Sequence, residues 1–85
     1  MKLAPVLDLS AARPLWEELA ALRGQGVAID ASAVERVGAL CLQVLMSARR
    51  QWRADEMSFV IADPSDSFGE AIRLMGAETL LAESP

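Results

Sequence analysis

A chain of 85 residues carrying twelve acidic side chains against eight basic ones, net −4, lacks the basic footprint that a nucleic-acid binder needs. It contains no histidine, which removes the usual general base and the commonest metal ligand, and its one cysteine, Cys41, can form neither an internal disulfide nor a zinc cluster. Apolar residues make up 53% and aromatic ones only 5%, so the core of this small domain has to be built from Leu, Val, Ile, Ala and Met.

Met1–Leu7 is mostly apolar, with Pro5 inside it. Proline cannot donate to a sheet ladder, so an edge strand or a short irregular one is expected here. Asp8 and Ser10 offer caps for a helix over the following residues to about Gly24. Leu15, Leu19 and Leu22 recur at helical spacing with Trp16 beside them and Glu17 and Glu18 outward; Pro14 falls near the first turn, where a missing N–H costs least. Gly24 and Gly26 end that helix. Val27–Asp30 reads as a strand without polar alternation, hence buried on both faces.

A short connection, Ala31–Val37, then leads through Gly38 into a helix over about Ala39–Arg53. Cys41, Leu42, Leu45, Ala48 and Trp52 trace one stripe of it; Gln43, Ser47, Arg50 and Gln51 take the other side or its flanks. Asp55 and Glu56 make a polar turn, and Met57–Ala62 is a third, mainly apolar strand. Asp63-Pro64 stops it, and Ser65, Asp66 or Ser67 can cap a last helix over Phe68–Met75, with Phe68, Ala71, Ile72 and Met75 inward. Gly76 is a stop signal, after which Leu80 and Leu81 are expected to fold back onto the core.

The order β-α-β-α-β-α with short connections predicts the α/β class: a small, mostly parallel sheet of three or four strands with helices mainly on one face, in one domain spanning residues 1–85. No run approaches the ~18 apolar residues of a membrane span and the chain opens without a leader pattern, so a cytoplasmic protein without membrane insertion is expected.

The strand–turn–helix from Val27 to Trp52 is where function is expected, because backbone N–H groups at a helix start lack partners and favour negative charge. In its residues this stretch resembles the STAS domain, the fold of bacterial anti-sigma-factor antagonists and related small regulators. That family carries a strand ending in Asp, then Leu-Ser-x-Val, then an apolar residue and Asp-Ser-Ser-Gly-Leu entering a helix. The matching residues are Asp30, Ser32, Val34, Val37 and Leu42, followed by Val44 and Leu45, without a gap from Val27 to Leu45. The Leu-Asp-Leu-Ser opening with its proline-containing helix fits too, as do Phe68, Leu74 and Gly76, so the likeness covers nearly the whole chain, with a shorter N-terminus than is usual.

In switchable members of the family the Asp-Ser pair at the helix entrance is the phosphorylation site. Gly38 and Ala39 stand there, a degenerate site, and Leu40 replaces the second serine. Phosphoryl transfer needs a hydroxyl acceptor, and Ala39 has none. The resemblance therefore implies a signalling module without enzyme activity and without cofactor or metal, acting by protein–protein contact through Ser32, Glu35, Arg36, Gly38, Ala39 and Leu40. The partners it implies are a kinase-type anti-sigma factor, a phosphatase or a chemotaxis component; the alternative is a cytoplasmic subunit of a lipid-transport ABC system docked on its ATPase. A homodimer through strand edges or helices stays open.

Several residues have a plainer reading beside the functional one. Ser32 could be a substitute phosphoacceptor, but a hydroxyl in such a turn more often serves the backbone. Cys41 lies on the apolar stripe and reads as a small buried hydrophobe rather than a reactive thiol. Of the two tryptophans, either of which could anchor a partner, Trp52 is the better core residue. Leu40 is balanced between partner contact and local packing. Arg49, Arg50 and Arg53 read as a solvated face pairing with nearby acids, Ser47 as an exposed or back-bonded serine, and Asp63, Asp66 and Glu70 as caps and surface rather than metal ligands.

Overall fold

The computed structural model describes residues 1–81. Its elements are β1 (Val6–Leu7), α1 (Ala12–Ala21), β2 (Val27–Asp30), β3 (Arg36–Val37), α2 (Ala39–Ala54), β4 (Phe59–Ala62) and α3 (Asp66–Leu74), with 3-10 turns at Leu9–Ala11 and Glu78–Leu81. Every strand pairing is parallel: β2 with β4 from Val27↔Phe59 to Asp30↔Ala62, β1 with β3 at Val6↔Arg36 and Leu7↔Val37, and a bridge between Lys2 and Asp30. The expected α/β class and small parallel sheet are therefore present.

The N-terminal run lies along the chain from β2 to β3 and splits around Pro5. On one side Leu3 N–H donates to the Asp30 carbonyl at 2.9 Å; on the other Gly38 N–H donates to the Leu7 carbonyl at 2.8 Å. Pro5 gives no N–H, but its carbonyl accepts from both Glu35 and Arg36, at 2.7 and 3.1 Å. The missing donor falls where the pairing is interrupted, between the Lys2–Asp30 bridge and β1, which is how the proline is tolerated. That pairing also corrects one expectation. Arg36–Val37 is not plain connection but a two-residue strand, drawn into the sheet by the Pro5 carbonyl and β1.

Burial on β2 and β4 alternates. Val27, Ile29, Phe59 and Ile61 are buried, while Ala28 and Val60 face solvent. The expectation that Val27–Asp30 is buried on both faces is overturned, since the helices cover one face and a small alanine on the other costs little to leave in water. The covered face meets Leu15 and Leu19 of α1, the Cys41–Leu42–Leu45–Ala48–Trp52 stripe of α2, and Phe68 and Ile72 of α3, as the helical spacing predicts.

Helices α1 and α2 run parallel. Leu9, Ala12 and Leu40 share one cleft at their starts, and Arg23 Nε meets Asp55 Oδ2 at 3.1 Å beyond their ends. There Trp52 Nε1 donates to the Gln25 carbonyl at 2.8 Å, and its ring meets Phe59 edge-on with centroids 5.9 Å apart. The indole satisfies its one polar atom while burying its body.

Helix α3 begins earlier than the sequence reading placed it, at Asp66, because Ser65 is the cap: its hydroxyl accepts from Phe68 N–H at 3.0 Å. It ends in a Schellman arrangement, with Gly76 N–H bonded to the Arg73 carbonyl and Ala77 N–H to that of Ile72 at 2.8 Å. Gly76 sits at φ +68, which a residue with a Cβ adopts only at a cost. Because the helix stops at Leu74, Met75 is turned out and 48% exposed, contrary to its expected inward place. Ala77 and Leu80 fill the core instead, while Leu81 stays largely in solvent.

Candidate functional site

The connection from Asp30 to Gly38 is held at several points by the backbone. Ala31 and Val34 are buried, with 0% and 2% of their surface exposed. Ser65 N–H donates to the Ala31 carbonyl at 3.1 Å, and the Ser65 hydroxyl donates to the Val34 carbonyl at 2.6 Å. Ser32, Glu35 and Arg36 project outward between these anchors. Among the expected site residues, then, Ser32, Glu35 and Arg36 are presented on a segment that the buried Ala31 and Val34 fasten.

Ser32 is exposed and belongs to an Asx-type turn, its N–H donating to Asp30 Oδ1 at 2.9 Å. Hydrogen bonds from Ser32, the hydroxyl first and then the backbone N–H, hold the Asp30 carboxyl below its ordinary pKa, with smaller help from Lys2. The turn is thus closed by the Asp30 carboxylate on the Ser32 N–H, and the serine hydroxyl serves that carboxylate rather than the backbone. Glu35 and Arg36 border a shallow cleft with Ser67, Glu70, Ala71 and Leu74 of α3, and Arg36 borders another with Val6, Leu7, Asp8, Val37 and Gly38. Ser32 lines neither of them.

Gly38 is the N-cap of α2, at φ −88 and ψ 164, and its carbonyl accepts from Leu42 N–H at 3.1 Å. No side chain caps this end and the first turn carries no acidic residue. The N-terminal N–H groups of α2 therefore have neither a side-chain acceptor nor an opposing charge in their own turn. Ala39 and Leu40 are exposed beside them, Leu40 by 44%. Nearby, the Cys41 thiol donates to the Asp8 carbonyl at 3.3 Å; burial first, and the Asp8 charge second, push its pKa up. The thiol is thus kept protonated and inside, as its place on the apolar stripe predicts. The Asp8 carboxylate accepts from Ser10 N–H at 3.1 Å and from the Ser10 hydroxyl at 2.7 Å, and its pKa is lowered chiefly by that hydroxyl.

Leu40 also lines a wider cleft of about 490 Å³ with Leu9, Ala12, Arg13, Trp16, Glu17 and Val44. Leu9 is 77% exposed and Trp16 53%. The sequence reading passed over Leu9. A usable signal was present, since Trp16 falls one residue out of phase with the buried Leu15 and Leu19. The three arginines of α2 do not pair with acids as expected: Arg50 bonds to Ser47 Oγ at 3.3 Å, Arg49 Nε is buried without a partner among the described residues, and the ion pair formed is Arg23–Asp55. Ser47 is exposed, as anticipated. No group of three or more acidic or thiol side chains among the described residues is placed to hold a metal, and no helix among them is long and apolar enough to cross a membrane.

A parallel sheet, helices on one face, and a strand–turn–helix displayed at the strands' carboxyl ends define a small α/β regulatory fold of the STAS type. The chain belongs to that family: the model described as "Mlab, STAS domain" matches residues 1–82. Neither curated proteins nor solved structures gave a match. STAS domains are as a rule binding modules without enzyme activity that act through protein–protein contact.

Proposed function

We propose that this chain is a non-enzymatic bacterial signalling module, without cofactor, that docks on a protein partner through Ser32, Glu35, Arg36, Gly38, Ala39 and Leu40. The observation that carries the reading is Leu40, exposed directly beside the uncapped start of α2. A partner placing an apolar side chain over Leu40 and an acceptor over the free N–H groups satisfies both at once. Position 39 offers no hydroxyl, so the surface works without covalent switching there. The partner class is a kinase-type anti-sigma factor, a phosphatase or a chemotaxis component.

A second reading, a cytoplasmic STAS subunit docked on the ATPase of a lipid-transport ABC system, is favoured by the Mlab name of the matching family. The genes beside this one separate the two. Each adjacent anti-sigma kinase, phosphatase, chemotaxis protein or ABC ATPase would be purified and titrated with the chain by calorimetry. Binding to one of them, weakened about tenfold or more by Leu40→Asp, is expected of a leucine at an interface centre. Binding that is indifferent to Leu40→Asp, Arg36→Glu and Gly38→Asp together would place the interface elsewhere.

A further inference from the structure

Seven large apolar side chains are exposed among the described residues, and three of them, Leu9, Trp16 and Leu40, line the one cleft between the starts of α1 and α2. Ala12 and the half-buried Val44 lie with them. A tryptophan left half in water beside two such leucines is the kind of patch that another surface covers. The charges at its border say which surface. Arg13 and Glu17 stand one helical turn apart on α1 and flank Trp16, yet they form no ion pair with each other or with any other described residue. Arginine preceding glutamate is the weaker sense for a pair within one helix, so both charges are available to an outside partner.

We propose that the cleft is occupied by a second copy of this chain, in a two-fold dimer whose axis passes beside Trp16 and sets the two α1 helices antiparallel. The midpoint between Arg13 and Glu17 falls on that axis, so each Arg13 faces the second copy's Glu17 and each Glu17 its Arg13. A two-fold contact requires such a self-complementary patch, and one positive and one negative charge a single turn apart on one helix, beside an exposed aromatic ring, meet the requirement. Leu9 and Leu40 then lie toward the C-terminal half of the opposing α1, where Ala20 is exposed and leaves room. Leu40 belongs both to this face and to the proposed docking surface, so self-association and partner binding compete for it. The dimer does not depend on that docking reading and is measured on the purified chain alone.

Sedimentation equilibrium of the full chain, from about 1 to about 500 μM, tests it over the affinity range of small transient interfaces. The expected mass rises with concentration from 9.1 kDa toward twice that value. Arg13→Glu and Glu17→Arg each weaken the dimer about tenfold, because each sets two like-charge contacts across the axis. The variant carrying both returns to within about threefold of the original, since the two-fold pairing is restored with reversed sign. Trp16→Ser weakens it about thirtyfold or more, with an unchanged circular dichroism spectrum showing that the fold survives. A chain that stays monomeric throughout, which leaves the cleft to another protein, overturns the proposal. So does a dimer indifferent to Arg13→Glu, or one that the paired reversal fails to restore.

Discussion

The Ser65 hydroxyl donates to the Val34 carbonyl at 2.6 Å while accepting from Phe68 N–H at 3.0 Å, so one side chain both starts α3 and ties down the connection that precedes α2. Ser65→Ala removes the cap and the tether together. A loss of about 1–2 kcal/mol is expected from the cap alone, measured by urea unfolding. Hydrogen exchange should quicken at Glu35 and Arg36 more than in β2, because the tether acts on the connection. A uniform change along the chain would mean that the hydroxyl serves the helix only.

Gly38 caps α2 without a side chain, at a φ of −88 that any residue adopts, and a Cβ there would stand 3.4 Å from the Leu7 carbonyl, an ordinary contact. Gly38→Asp should therefore stabilise the fold by about 0.5–1 kcal/mol, combining a side-chain cap with a less flexible unfolded chain. It should at the same time weaken any partner that places an acceptor at this helix start. The reverse holds at Gly76, whose φ of +68 closes α3. Gly76→Ala is expected to cost about 1 kcal/mol. Urea midpoints of the two variants should move in opposite directions.

The two tryptophans report on different places. Trp16 is 53% exposed and Trp52 only 3%. Iodide should quench the emission of Trp16 and leave that of Trp52 nearly untouched, so Trp16→Phe removes most of the quenching. Trp52→Phe keeps the ring against Phe59 but loses the bond to the Gln25 carbonyl, for an expected cost of about 1 kcal/mol.

Asp8, Asp30 and Asp55 all have folded pKa values lowered from 3.8, Asp8 chiefly by the Ser10 hydroxyl, Asp30 by Ser32 and Asp55 by the hydrogen bond from Arg23. A carboxyl whose folded pKa lies below its unfolded one contributes stability that is complete above the unfolded value and is lost as pH falls through the folded one. With no histidine in the chain, stability should be nearly flat from roughly pH 6 to 8. It should then decline from near 3.8 downward. Asp55→Asn should make that decline shallower in urea titrations at stepped pH.

Cys41 is 1% exposed, with its thiol pKa raised by burial first and by Asp8 second. A thiol reagent at pH 8 should label it only through opening of the fold, with a rate that climbs as urea destabilises the protein. Rapid labelling of the native chain would contradict its buried, protonated state.

The helices were readable because their buried residues repeat locally: Leu15 and Leu19 on α1, and the Cys41-to-Trp52 stripe on α2, need no knowledge of distant chain. Gly76 was readable for the same reason, since stops are decided within one turn. Ser65, by contrast, was only one of three neighbouring hydroxyl or carboxylate caps until its bond to Val34 was seen. The strand Arg36–Val37 was not, because its pairing depends on the Pro5 carbonyl some thirty residues earlier. Ala28 misled because alanine counts as apolar yet is tolerated on an open sheet face. Met75 misled because helical spacing continued past the point where Gly76 turns the backbone. The turn at Gly38–Leu40 was legible as a place, while its extension into the cleft of Leu9 and Trp16 was hidden. That extension requires knowing that α1 and α2 lie side by side and start at the same end.

Since every strand pairing is parallel, each helix that follows a strand begins at the same edge of the sheet. The backbone dipoles of α1, α2 and α3 consequently add rather than cancel, and their partial positive ends gather at that edge of a molecule whose net charge is −4. Asp8 lies ahead of α1 and Asp66 in the first turn of α3, and both offset them locally. The start of α2 has no acidic residue in its own first turn and shares the Asp8 charge, which is felt at Cys41. The helix starts thereby lean on carboxylates carried by the connections around them, and loss of Asp8 would leave two of them, those of α1 and α2, uncompensated at once.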